Sequence, residues 1–200
     1  MNKYSLLKID RKKPSIFYQK FEEKYKELLQ GILNENLEIT QEYFDTLAKS
    51  PNIGYLLFIG KIDGKMERIE LFAHSQIQRK ENKKISSELH EFLLESYSVQ
   101  VEKPNYKDGY VNYLNNNLFF GDSLDIKDVW YRDVDSESKL IENFFIQYGG
   151  KEIQGRIQLF TTYSPCLSCN GKLLRFLEEH SNVSIEVSYL RVYNGFKRRR

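Results

Sequence analysis

The sequence predicts an α/β fold, a mixed sheet carrying helices, and two stretches predict it most directly. Tyr55-Leu56-Leu57-Phe58-Ile59 and Arg68-Ile69-Glu70-Leu71-Phe72 are apolar, β-prone runs flanking Asp63-Gly64, a dipeptide suited to tight hairpin turns. From Gly155 to Tyr193 the chain reads as strand, CxxC, helix, strand. Its first strand is Ile157 to Thr162, which stops at Ser164-Pro165; its last is the alternating run Val183 to Tyr189. At 200 residues, 40% apolar and 14% aromatic, the chain is long enough for one cored domain with a helical preface. We divide it into a helical extension over 1–50 and a catalytic domain over 51–200.

The elements follow in order. Phe17, Phe21, Tyr25 and Leu28 recur at helical spacing through a charged segment, predicting an amphipathic helix. Thr40 caps a second helix with Tyr43, Phe44 and Leu47, ending near Ser50-Pro51. The hairpin runs into Ala73-His74-Ser75-Gln76, and Ser86 or Ser87 opens a helix through Leu89, Phe92 and Leu93. Residues 101–129 read as an irregular, aromatic-rich insertion. Leu140, Ile141, Phe144 and Phe145 share a face of the next helix, Ser138 to Tyr148, which Gly149-Gly150 ends.

Charge and composition exclude several classes. The 30 basic and 28 acidic residues leave a net charge of +2, too balanced to announce a nucleic-acid binder. The one basic cluster, Lys197 to Arg200, reads as a solvated terminus. No apolar run reaches 18 residues, so no membrane partner is expected. Two cysteines spaced CxxC make no disulfide framework, and a reducing compartment suits them.

Those cysteines carry the chemistry. Pro165 suits a first helical turn because it has no N–H to leave unpaired. Cys166 and Cys169 then sit at the positive end of a helix, which favours thiolates, and two thiolates one turn apart can share a zinc ion. A thioredoxin-like redox pair has the same local geometry, but the proline precedes the first cysteine and none follows Pro165. A zinc site with four protein ligands lacks further cysteines.

A catalytic zinc needs a third ligand and a carboxylate to move protons. Asp135-Ser136-Glu137 opens the helix before the strand that leads to the cysteines, with 31 residues from Asp135 to Cys166. His74-Ser75-Gln76 offers the histidine, but Gln76 cannot titrate, and 92 residues separate His74 from Cys166. An Asp-Ser pair before a helix is ordinarily an N-cap, and a first-turn Glu ordinarily complements the helix dipole.

With P-C-x-x-C at 165–169 and D-S-E at 135–137, the chain resembles the cytidine-deaminase-like superfamily. AHSQI at the end of an early hairpin, followed by DSExK, a strand and PCxxC, makes it similar to deaminase domains of bacterial polymorphic toxins over roughly 53–193. The resemblance implies a three-layer deaminase-like sandwich with a mixed central sheet and the N-terminal helical extension. It implies zinc held by Asp135, Cys166 and Cys169, with His74 as the alternative third ligand, and Glu137 as acid/base. His74, Ser75, Ser136 and Pro165 become candidate substrate contacts. The expected reaction is hydrolytic deamination of cytosine, with adenine as the alternative. Expected partners are a nucleic acid substrate (DNA, single- or double-stranded, ahead of RNA) and a cognate immunity protein. The site of action would be cytoplasmic, after delivery as a secreted toxin domain. Two other readings stand beside this one: a non-catalytic zinc module binding nucleic acid or protein, and a deaminase of free nucleosides or nucleotides.

Overall fold

The computed structural model describes residues 4–34, 39–49, 52–75, 77, 85–97, 136–165 and 167–192. Asp135, Cys166, Gln76, the insertion at 101–129 and the basic tail lie outside these residues.

Alternating burial builds the sheet. The hairpin strands are β2 (Ile53–Ile62) and β3 (Lys65–His74), joined through Asp63 at φ 49° and Gly64 at φ 78°. Two successive left-handed residues give a turn whose twist matches that of the strands. Glu152 fastens this turn to the next strand: its N–H reaches Asp63 Oδ1 at 3.1 Å, and its carbonyl accepts from Asp63 N at 2.9 Å. The other strands are β4 (Ile153–Tyr163) and β5 (Val183–Arg191), with β1 (Tyr4–Lys8) at the far edge. The strand order is β1-β5-β4-β2-β3, with β1, β5 and β4 parallel and β2 antiparallel to both its neighbours.

β1 departs from the expected all-helical preface. It pairs Tyr4 to Lys8 with Ile185 to Tyr189. Its signal was weak because an edge strand with exposed Leu6 and Leu7 shows no core-facing alternation. Residues 1–50 therefore contribute a strand as well as helices to the sandwich.

Residues Ile53 to Phe58 are all buried, as in a strand covered on both faces. On one face Leu56, Phe58, Ile157 and Leu159 pack under α4 (Ser136–Tyr148) and α5 (Leu167–Glu179). On the other, Tyr55, Leu57, Phe72 and Phe160 pack under α1 (Ile16–Asn34), α2 (Gln41–Lys49) and α3 (Ser87–Tyr97). The result is a three-layer α/β sandwich. Thr40 and Ser86 cap α2 and α3 as the sequence suggests, and Ser15 caps α1, each hydroxyl accepting the N–H three residues on, in Tyr43, Leu89 and Tyr18.

Candidate active site

Topology brings the two first turns that matter to one edge of the sheet. Thr161 near the end of β4 pairs with Gly54 near the start of β2, so the chain leaves β4 for α5 at the edge where β2 begins. Gly54 also faces the start of α4: a Cβ there would lie 2.6 Å from Leu140 Cδ1 and 3.2 Å from Ser136 Cβ. Only a glycine lets the helix come this close. Farther along, Phe144 and Phe176 approach ring to ring at 6.0 Å, as do Phe145 and Phe176 at 6.4 Å. α4 and α5 therefore lie side by side in parallel, with their positive N-terminal ends at the same edge.

Glu137 occupies the first turn of α4 and is 3% exposed. Burying a carboxylate costs several kcal/mol unless hydrogen bonds replace water. Here Ser136 Oγ donates to Glu137 Oε2 at 3.1 Å, and Asn52 Nδ2 donates to the same oxygen at 3.3 Å. Asn52, just before β2, was not singled out from the sequence. A polar residue bordering an apolar strand is an ordinary boundary, and only the fold puts it opposite Glu137. Its backbone carbonyl accepts from Ser75 N at 3.0 Å, which joins the exit of β3 to the entry of β2.

Cys169 lies in the first turn of α5 and is buried. The following residue, Asn170, accepts at Oδ1 from Tyr4 Oη at 2.5 Å, so the edge strand β1 braces the cysteine-bearing helix. Pro165 lies half-buried between β4 and α5, as a helix-opening proline would. The connection is held by Ser164 N donating to the Arg191 carbonyl at 2.7 Å.

His74 ends β3 in full burial, with Nε2 3.4 Å from the Leu47 carbonyl of α2. Burial pulls its pKa down to about 4; the Leu47 carbonyl opposes this, and the Lys139 charge adds to it. The ring is thus neutral at pH 7, with its contact on the α2 layer, while Glu137 stands on the α4 layer. Lys139, the lysine of the DSExK pattern, is a buried cation to which the sequence reading gave no role. Its Nζ donates to the carbonyls of His74 at 3.0 Å and Ile77 at 2.5 Å, fixing the chain where it leaves β3. An open cleft of about 620 Å³ lies elsewhere, on the α1 face, lined by Lys8, Lys13, Lys20 and Leu57. None of its lining residues is a predicted site residue.

Residues 37–191 match the model of a family described as Toxin-deaminase, the BURPS668_1122 family of deaminases. The chain belongs to this family, and with it to the cytidine-deaminase-like superfamily of hydrolytic deaminases. The match runs from before α2 to the end of β5, leaving β1 and α1 outside it. No curated protein matches the chain.

Among the described residues, no group of three or more His, Cys, Asp or Glu is placed to hold a metal; Asp135 and Cys166 lie outside them. The donor chemistry suits zinc. A buried thiol sits at the positive end of α5, and a buried carboxylate stands in the neighbouring first turn.

Proposed function

We propose that the protein is a zinc-dependent deaminase that converts cytosine to uracil in nucleic acid and acts as a bacterial toxin domain. The observation that carries this is Glu137, a buried carboxylate clasped by Ser136 and Asn52 at the edge where α5 brings Cys169. A carboxylate buried only for stability could be replaced by an apolar side chain without loss. Ser136 and Asn52 fix one oxygen of Glu137 and so orient the carboxylate for proton transfer.

Asp135, Cys166 and Cys169 would hold the metal, with His74 as the alternative to Asp135. Zinc, when bound, supplies a water that loses a proton near neutral pH. Glu137 takes that proton and passes it to the ring nitrogen. Once the hydroxyl has added to C4, Glu137 takes that hydroxyl's remaining proton and gives it to the amine as the C4–N bond breaks, so that cytosine and water become uracil and ammonia. The positive end of α4 steadies the carboxylate between transfers. Family membership supports deamination; beyond it, the substrate would be nucleic acid, DNA ahead of RNA, with a cognate immunity protein as partner and the cytoplasm of a target cell as the place of action. A base inside a duplex would have to be flipped out to reach Glu137.

The test is a panel of single- and double-stranded DNA and RNA, each carrying cytosine or adenine, incubated with protein supplied with zinc. Uracil formation supports the reading. Inosine formation moves it to adenine. Zinc binding with no base converted supports a non-catalytic module instead.

A further inference from the structure

Beside the Glu137 carboxylate stands a second acceptor with nothing to accept. Asn52 Oδ1 is buried and has no hydrogen-bond partner among the described residues. The orientation of the amide follows from chemistry: Nδ2 donates to Glu137 Oε2, and turning the group over would set oxygen against a carboxylate. An unmet buried acceptor costs about 1–3 kcal/mol, which a fold keeps only where the group has a use. The nitrogen of the same amide is held by Glu137, so this unmet oxygen belongs to a group in direct contact with the carboxylate.

An unmet acceptor beside the residue that moves the protons is complementary to an N–H of the substrate. We propose that Asn52 is a specificity-determining residue whose Oδ1 accepts an N–H from the exocyclic amino group of the base, the group that leaves. This rests on the deaminase reading of the Glu137 site. The amino nitrogen offers one hydrogen to Oδ1 while Glu137 serves the proton transfers. When ammonia has left, the product carries a carbonyl oxygen there. Oxygen now faces oxygen, so the same residue that selects amino bases weakens the hold on the product. A keto base arriving as a false substrate meets the same repulsion.

The experiment uses three single-stranded DNA probes identical except at one position, which carries cytosine, pyrimidin-2-one (the same ring without the amino group) or uracil. Affinities are measured by fluorescence anisotropy with protein stripped of zinc, so that no probe is consumed and the Glu137 carboxylate still orients the Asn52 amide. With Asn52 present, cytosine binds about tenfold tighter than pyrimidin-2-one, the worth of one such hydrogen bond. With Asn52→Ala added, that preference falls to within about twofold and uracil binding gains. Asn52→Leu, close in shape and lacking both polar atoms, gives the same result if alanine leaves the protein unfolded. The role is overturned if cytosine and pyrimidin-2-one bind alike with Asn52 present. It is equally overturned if loss of Asn52 weakens all three probes by the same factor, which marks a merely structural residue. A wild-type protein that makes uracil yet shows no amino preference defeats the Asn52 role alone. One that converts no base defeats the reading beneath it.

Discussion

Adding one methyl group at Gly54 is expected to disturb the active site through packing alone. In Gly54→Ala the new Cβ would stand 2.6 Å from Leu140 Cδ1, 3.2 Å from Ser136 Cβ and 3.3 Å from Ser136 Oγ. Ordinary contact begins near 3.4 Å, so the Leu140 methyl must move by nearly an ångström and Ser136 by a few tenths. Leu140 and Ser136 are both fully buried, which denies Leu140 a swing into solvent. Overpacking of this kind costs about 1–3 kcal/mol. In a 200-residue chain that lowers Tm by about 3–10 °C. Ser136 precedes Glu137, so a helix start displaced by a few tenths of an ångström should also cut deaminase activity by about tenfold, given that about 1 Å of misplacement can cost a hundredfold. Thermal melts and initial rates on the same preparations read both effects. Leu140→Val removes the clashing atom, so the double variant should be more stable than the sum of the singles by about 1 kcal/mol. Unchanged melting and unchanged rate in Gly54→Ala would refute the close approach of α4 to β2.

Other expectations rest on single contacts. Cys169→Ser should lower bound zinc, measured by elemental analysis after dialysis, from about one per chain to a small fraction; full retention would remove Cys169 from the ligand set. Tyr4→Phe leaves Asn170 Oδ1 without its 2.5 Å donor and should cost about 1–2 kcal/mol in urea denaturation. No change there would mean that β1 does not brace α5. His74 gives a pH signature. Its folded pKa, near 4, lies below the ordinary 6.5, so between these values the unfolded chain takes up a proton that the folded one refuses. Stability from this group is complete above pH 6.5 and is lost as pH falls toward 4, by about 3 kcal/mol. His74→Gln should flatten that part of the profile, and a profile unchanged by the substitution would contradict the burial of a neutral ring.

Much of the fold was legible because local rules and tertiary structure agree. Asp63-Gly64 specifies the hairpin turn, Thr40 the start of α2, and Gly149 the end of α4, whose N–H bonds back to the Phe145 carbonyl at 2.6 Å. The spacing of Asp135 from Cys166 was read as one helix and one strand, and α4 and β4 fill that interval. β1 was not legible, because what makes Tyr4 to Lys8 a strand is the edge of β5, almost two hundred positions away in sequence. Of the candidate site, the placement of Glu137 and Cys169 in helical first turns could be read because helix N-termini are local patterns. Asn52 and Lys139 could not. An asparagine before a strand and a lysine in a helix are ordinarily solvated, and only the packing of α4 on β2 and β3 buries Lys139 and half-buries Asn52. His74 was legible as the end of a strand, but its Leu47 contact depends on where α2 lands.

In the proposed reaction Glu137 carries the protons of a cytosine deamination. The measurement that tests it most directly is a time course of uracil and ammonia formation from cytosine-containing single-stranded DNA, with wild-type and Glu137→Gln proteins supplied with zinc. Glu137 and Gln have the same shape, so both proteins should melt within a few degrees of each other and bind zinc alike. The wild type should release one ammonia per uracil, and Glu137→Gln should be slower by about 10²–10⁴-fold. Equal rates from the two proteins would contradict the claim.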